Sequence, residues 1–174
     1  VPLIDINLNI DTFYSKRLKR GFDILISIAS LILLTPIWFL LMILIKIDSK
    51  GPVFYKQGRS GLNNKYFNII KFRSMVTDAE GETGPVWSGL EDNRITRVGK
   101  LLRRFHLDET PQLINILNGE MSLVGPRPER PYFIKKLNKE YPFYQRRLKI
   151  RPGITGWAQI KQPFDTSVKD VRQK

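Results

Sequence analysis

The run from Ile24 to Ile45 contains no charged residue, and about 20 apolar residues are enough to carry a helix across a bilayer core. Pro36 lies near its middle, where it removes a backbone donor and clashes with the preceding turn, so a kink or a break is expected there. Basic residues stand at both ends: Lys16, Arg17, Lys19 and Arg20 before the run, and Lys46, Lys50, Lys56, Arg59 and Lys65 after it. Lys and Arg near a membrane segment favour the cytoplasmic side, and here both flanks ask for that side. A segment that enters, turns at Thr35-Pro36 and leaves by the same face satisfies both, with Thr35 placed to bond a backbone group freed by the break. A kinked single span is the alternative that charge and proline leave open. A signal peptide does not fit, because the run is too long, starts well inside the chain and lacks a small-residue cleavage site.

That segment changes how the charge is read. The chain has 174 residues and a formal net charge of +13. Beside an apolar segment, anionic lipid headgroups account for such charge, and a phosphate-bearing substrate is the next explanation. A nucleic-acid-binding module would also explain it, but the apolar run and the lack of a recognised nucleic-acid motif speak against that class. There is no cysteine, which removes thiolate metal sites and a disulfide framework.

Val1 to Tyr14 alternates apolar and polar residues and reads as an extended lead. Ser15 to Asp23 is a basic approach to the apolar run, with Asp23 expected to pair with Lys19 or Arg20. Residues 52–57 and 66–73 are aromatic and β-branched, separated by Gly58, Gly61, Asn63 and Asn64, and predict a β-hairpin. Lys71 and Arg73 are two apart, so on a strand they face one way, towards solvent or towards an anion. Thr77 to Asn93 reads as a surface loop. Arg94 to Phe105 reads as a basic amphipathic helix.

The stretch His106-Leu107-Asp108-Glu109-Thr110-Pro111-Gln112-Leu113 is the richest in chemistry. Pro111 is favoured in a first turn, so a helix is expected from about Thr110 to Gly119, with Asp108 and Glu109 at its positive end. Two adjacent acids there have two readings: helix capping with surface ion pairs, or a catalytic pair of nucleophile and metal-holding carboxylate. From spacing alone, capping is the commoner role. Pro126 and Pro128 clamp Arg127 in a rigid turn, which suits a guanidinium that grips a phosphate or stacks on a base, or an exposed arginine in an ordinary loop. Tyr132 to Ile150 is a basic amphipathic region interrupted at Pro142, and residues 151–157 form another Pro/Gly turn ending on Trp157.

In this order, the basic lead with Gly21-Phe22-Asp23, Thr35-Pro36, Lys71-Phe72-Arg73-Ser74-Met75, Leu107-Asp108-Glu109-Thr110-Pro111, Gly125-Pro126-Arg127-Pro128 and Arg151-Pro152-Gly153-Ile154-Thr155-Gly156-Trp157 resemble the bacterial sugar transferases, the monotopic polyprenyl-phosphate phosphoglycosyl transferases. The resemblance covers about Lys16 to Gln159 and favours the catalytic reading of the acids and the re-entrant reading of Pro36. It implies an α+β monotopic membrane protein with a re-entrant helix-break-helix, amphipathic interfacial helices and a small β-hairpin, at the cytoplasmic face of the bacterial inner membrane. It further implies transfer of a sugar 1-phosphate from a UDP-sugar to a polyprenyl phosphate (undecaprenyl phosphate), with release of UMP. Asp108 matches the family nucleophile and Glu109 its Mg²⁺-binding partner. Lys71, Arg73 and Arg103 match basic positions near the phosphates, and Arg127 matches the arginine associated with the nucleotide. His106, the single histidine, is assigned a structural place.

The organisation expected is a tail of a preceding region over 1–15, a basic lead and re-entrant helix over 16–50, and a cytoplasmic catalytic region over 51–174. Family members continue past the Trp157 turn into helices with an Asp- and Tyr-rich segment, which Asp165 and Asp170 do not reproduce, so a C-terminally truncated chain is expected. A membrane-anchored scaffold without turnover is the rival that such truncation allows.

Overall fold

A computed structural model describes residues 13–79, 81, 92–141 and 143–161. The extended lead over 1–12, most of the 77–93 loop, Pro142, Asp165 and Asp170 lie outside the described residues. Phe13 and Tyr14, expected in the lead, are already helical.

Helix α1, Phe13–Asp48, is 36 residues long and contains Pro36. It is long and apolar enough to cross a membrane. Its side chains settle the packing before any loop does. Asp23, Ser27, Leu41 and Ile45 are buried, and Leu31, Leu34 and Trp38 are partly buried, while Leu25, Ile28, Ile32, Leu33, Ile37, Phe39, Ile43 and Ile47 are exposed. The inward positions recur every three or four residues, so one stripe of α1 faces the body along its length and the opposite stripe is an unpartnered apolar face. The helix-break-helix expected at Thr35-Pro36 is instead one uninterrupted helix. Leu34 and Trp38, on either side of the proline, are both held by the body, and Thr35 and Pro36 themselves face outward. Thr35 Oγ1 donates to Leu31 O at 2.7 Å, one residue short of Ile32, whose carbonyl Pro36 deprives of its helical donor.

The predicted hairpin forms. Strands β1 (Phe54–Ser60) and β2 (Tyr66–Phe72) pair antiparallel with Phe54 opposite Phe72 and Ser60 opposite Tyr66. A 3₁₀ turn at Leu62–Asn64 joins them. Asn63 and Asn64 take positive φ there, a conformation that asparagine tolerates better than most residues. Helix α2 (Arg97–Arg104) starts at Thr96, whose hydroxyl accepts from Gly99 N. A 3₁₀ turn at Leu107–Glu109 precedes α3 (Gln112–Leu117). Pro111 therefore stands just before α3 rather than within its first turn, and α3 ends where Gly119 turns to φ 83°.

Beyond α3 come β3 (Ser122–Val124), α4 (Pro131–Glu140), a 3₁₀ stretch at Tyr144–Lys149, β4 (Gly153–Thr155) and α5 (Trp157–Lys161). The parallel β3–β4 pair, Ser122 against Gly153 and Val124 against Thr155, joins two stretches that read as separate turns. It depends on Gly125 and Gly153, where an added Cβ would collide with the facing backbone.

Two apolar clusters lie along α1. Phe67, Ile69, Leu113, Ile116 and Met121 receive Leu31 and Leu34; Phe72 and Leu102 receive Leu41 and Ile45, with Trp38 and Phe54 alongside. Long polar side chains close the helix ends. Arg20 donates to Ile116 O at 2.6 Å and Leu117 O at 3.0 Å, capping α3. Asp23 pairs with Lys19 at 3.5 Å, as expected, and also accepts from Ser122 Oγ at 2.8 Å and Leu123 N at 3.1 Å. Asp48 accepts from Val98 N at 2.9 Å at the start of α2.

Asn115, 1% exposed, fastens α3 to β2. Its Oδ1 accepts from Ile70 N at 3.0 Å, and its Nδ2 donates to Asn68 O at 2.8 Å and Glu120 Oε2 at 2.7 Å. Replacing it by alanine removes the partner of all these part-buried groups together. Urea denaturation of Asn115→Ala is expected to show a loss of about 2–4 kcal/mol.

Candidate active site

The join between β2 and the 107–109 turn puts basic and acidic side chains on one cleft of about 510 Å³. Lys71 reaches it from the end of β2, Asp108 and Glu109 from the turn, Arg103 from α2, and Arg127 from the Pro-Arg-Pro segment. A cleft of this size is within the ordinary range for organic ligands.

The two carboxylates do different things. Glu109 Oε1 accepts from Lys71 Nζ at 2.6 Å and from Arg127 Nη2 at 3.0 Å. Burial pushes its pKa up, but the charges and hydrogen bonds of Lys71 and Arg127 prevail, and the net shift is far below the usual carboxylate range. Asp108 is only 7% exposed, yet among the described residues its carboxylate makes no hydrogen bond or ion pair. Burial raises its pKa and the neighbouring Glu109 charge adds to that, against the opposing pull of Lys71 and Arg103. Neither acid caps a helix by its side chain, so the capping reading falls. Adjacent carboxylates pushed in opposite directions are a pattern of sites in which two acids have separate tasks.

The cations are likewise differentiated. Lys71 has its pKa lowered by burial, with the Glu109 charge opposing. Arg103 Nε donates to Ser74 Oγ at 3.0 Å, and burial lowers its pKa. Arg127 is held through its own carbonyl, which accepts from Arg147 Nη2 at 2.9 Å. Arg73 lines the same cleft, but its guanidinium is engaged elsewhere. β2 ends at Phe72, and the Arg73 guanidinium turns back to cap α1, donating to Ser49 O at 2.6 Å, Lys50 O at 3.1 Å and Ile45 O at 3.3 Å.

Arg59, read in the sequence only as a flanking charge, belongs to the cleft. It donates to Pro128 O at 3.0 Å and to Gln57 Oε1 at 2.6 Å, and lies 3.8 Å from Glu129. Burial lowers its pKa to about 10. Its alternation with Gln57 on β1 was the available signal, but the partner segment around Glu129 is remote in sequence. His106 lines the cleft from a left-handed backbone position, φ 54°.

A family model described as bacterial sugar transferase matches residues 14–173. The chain belongs to that family. Similar proteins include the UDP-N-acetylgalactosamine-undecaprenyl-phosphate N-acetylgalactosaminephosphotransferase of Aeromonas hydrophila, 43% identical over 157 residues that make up 90% of this chain and 37% of that one. The undecaprenyl-phosphate glucose phosphotransferase of Komagataeibacter xylinus is 47% identical over 145 residues, 82% of this chain and 27% of that protein. The UDP-glucose:undecaprenyl-phosphate glucose-1-phosphate transferase of Escherichia coli K12 is 40% identical over 160 residues, 92% and 34% of the two chains. This bacterial sugar transferase chain thus spans about a third of the length of these relatives.

The donor set of the family member can be tested against Mg²⁺. Among the described residues no three acidic or histidine side chains form a metal cage. Mg²⁺ does not need one, since it is commonly held by one or two carboxylates together with waters and substrate phosphates. Glu109, kept ionised beside Asp108, fits that mode.

The raised pKa of Asp108 also bears on stability. A carboxyl whose folded-state pKa is raised contributes stability that is fully present below its unfolded pKa and is lost as pH rises through the folded value. Raising the pH from the ordinary aspartate range therefore costs the fold stability through this group. Asp108→Asn is expected to raise the Tm at pH 7, with the difference narrowing as the pH falls towards about 4, near the ordinary aspartate pKa. Thermal denaturation across that range checks the sign; a lower Tm at pH 7 contradicts the reading.

Proposed function

We propose that this chain is the catalytic part of a transferase that moves a sugar 1-phosphate from a UDP-sugar to undecaprenyl phosphate, an early membrane step in exopolysaccharide or related glycan assembly. The observation that carries the proposal is the opposed carboxylate pair: Asp108 buried and, among the described residues, unpaired, Glu109 held ionised by Lys71 and Arg127, in a cleft lined by cations. The relatives' names, which specify undecaprenyl-phosphate sugar phosphotransferases, support the substrate class.

In this reading an Asp108 carboxylate oxygen attacks the β-phosphorus of the UDP-sugar. The bond from that phosphorus to the bridging oxygen breaks, UMP leaves with the electron pair, and the sugar phosphate is held on Asp108 as an acyl phosphate. An oxygen of the lipid phosphate then attacks the same phosphorus, restoring the Asp108 carboxylate and giving the polyprenyl-diphosphate sugar. Phosphoryl transfer asks the protein mainly for positioning and charge neutralisation. Lys71 and Arg127 provide the first cations, Arg103 stands ready on α2, and Arg59 stiffens the Arg127–Glu129 wall. Glu109 would hold Mg²⁺ in this reading, and the ion would add to the neutralisation of the diphosphate charge.

The raised pKa of Asp108 suits this role. A desolvated carboxylate with no partner to displace is a better nucleophile than one held in an ion pair, provided the pH keeps it ionised. With UDP-sugar radiolabelled in the sugar, no lipid acceptor and an acid quench, label is expected to stay on the wild-type chain and to be absent from Asp108→Asn. Glu109→Gln is expected to lose rate and recover part of it in excess Mg²⁺. Equal label on wild type and Asp108→Asn overturns the covalent assignment; absence of UMP release from the wild type favours the scaffold reading.

We also propose that α1 is monotopic, an unbroken helix with both ends on the cytoplasmic face of the inner membrane and its outer apolar stripe in lipid. The support is that one body binds both ends: Lys19 and Asp23 reach Ser122 near the start, and Arg73 takes the carbonyls of residues 45–50 at the end. A membrane crossing would separate those anchors. The chain has no native cysteine, so single cysteines at Arg17 and Lys50 report cleanly. Both are expected to react only with a reagent applied from the cytoplasmic side; labelling of one from each side establishes a span.

A further inference from the structure

The apolar helix and the carboxylate turn are joined by a polar relay. Trp38 stands on α1 two residues past Pro36, and its Nε1–H donates to Thr110 Oγ1 at 3.0 Å. Thr110 Oγ1–H donates in turn to Leu107 O at 2.8 Å. Leu107 opens the 3₁₀ turn that carries Asp108 and Glu109, so the relay ends on the backbone of the site. The indole is itself fixed, edge-on to Phe72 at 5.4 Å and to Phe54 at 6.5 Å between ring centroids.

The turn needs such a tie. His106 enters it at φ 54°, a left-handed conformation that is uncommon outside glycine. Lys71 and Arg127 grip the side chain of Glu109, whereas the Asp108 carboxylate has no side-chain partner of its own among the described residues. Among the described residues, then, it is the backbone of the turn that aims Asp108. Packing explains an aromatic ring at position 38, but phenylalanine would satisfy packing. What tryptophan adds is an N–H, which needs a partner in an apolar setting and finds it on the carboxylate turn.

We propose that Trp38 is a positioning residue, which through Thr110 holds the 107–109 turn so that Asp108 meets the donor phosphorus, and which makes the membrane helix part of the catalytic framework. The proposal rests on Asp108 being the nucleophile. Trp38 touches no substrate; its effect passes through Thr110.

The test uses the full chain in nanodiscs containing anionic lipid, with Trp38→Phe, Thr110→Val, Thr110→Ser and the Trp38→Phe/Thr110→Val double variant. Loss of a positioning hydrogen bond is expected to lower kcat about tenfold in Trp38→Phe and Thr110→Val, since small displacements of reacting groups are costly. KM for the UDP-sugar should stay within about twofold. Thr110→Ser, which keeps the hydroxyl, should retain most of the rate, and the double variant should be no slower than Thr110→Val, because both changes cut one relay. Amide exchange over residues 106–110 should speed up in Trp38→Phe while α1 keeps its protection. Wild-type kcat in Thr110→Val, an equal loss in Thr110→Ser, or losses that multiply in the double variant overturn the proposal. Should Trp38→Phe fold poorly, the Thr110 pair decides alone. Amide exchange needs no turnover, so unchanged exchange at 106–110 refutes the relay even if Asp108 proves to be the nucleophile. Failure of the covalent assignment shows separately, as label retained on Asp108→Asn.

Discussion

Both apolar clusters of the protein are completed by the same helix. Leu31 and Leu34 close one, Leu41 and Ile45 the other, and Trp38 sits between them against Phe54 and Phe72. Each inward side chain of α1 is separated from the next by three or four residues, so losing register at any point would misplace all that follow. The end contacts reinforce this. Arg20 and Asp23 lock the N-terminal part to α3 and β3, and Arg73 and Asp48 lock the C-terminal part to the residues leading into the site. The long apolar helix is also the spine on which the β-hairpin, α2 and α3 are assembled.

That arrangement explains how a loop-rich body of short elements holds a precise cleft. Outside α1, the described helices run from five to ten residues, and helices that short are not stable in isolation. Side chains remote in sequence cap their ends, and Asn115 occupies backbone groups of β2 that would otherwise be buried without partners. The polar network substitutes for length. It also delivers Lys71 to Glu109, because fastening α3 to β2 brings the preceding turn beside the end of the strand.

Within the cleft, one pair of cations makes two like residues unlike. Lys71 and Arg127 converge on a single oxygen of Glu109 and keep it charged, while Asp108, one residue away, is desolvated and among the described residues has no such partner. Separating two such charges in water would require little; in a partly dry cleft the difference is large, because the low dielectric amplifies both the ion pair and the burial cost. The buried acid therefore costs the fold stability as pH rises.

Much was legible in the residues themselves. An uncharged run with basic flanks marks the long apolar helix; β-branched alternation around Gly and Asn yields the hairpin; Gly119 ends α3; and the acids, Lys71, Arg103 and Arg127 were singled out by the resemblance of their ordered motifs to a known family. These are local properties, set by hydropathy, backbone preference and charge. Tertiary contact decided the rest. Pro36 implied a break, but Leu34 and Trp38 are both gripped by the body, and packing on either side carries the helix through. Arg73 shared a strand parity with Lys71, but the bare carbonyls at the end of α1 lie within reach and take its guanidinium. The pairing of β3 with β4, the place of Arg59 beside Glu129 and the reach of Trp38 to Thr110 each join residues tens of positions apart, and no local pattern encodes which distant backbone will be close enough to bond.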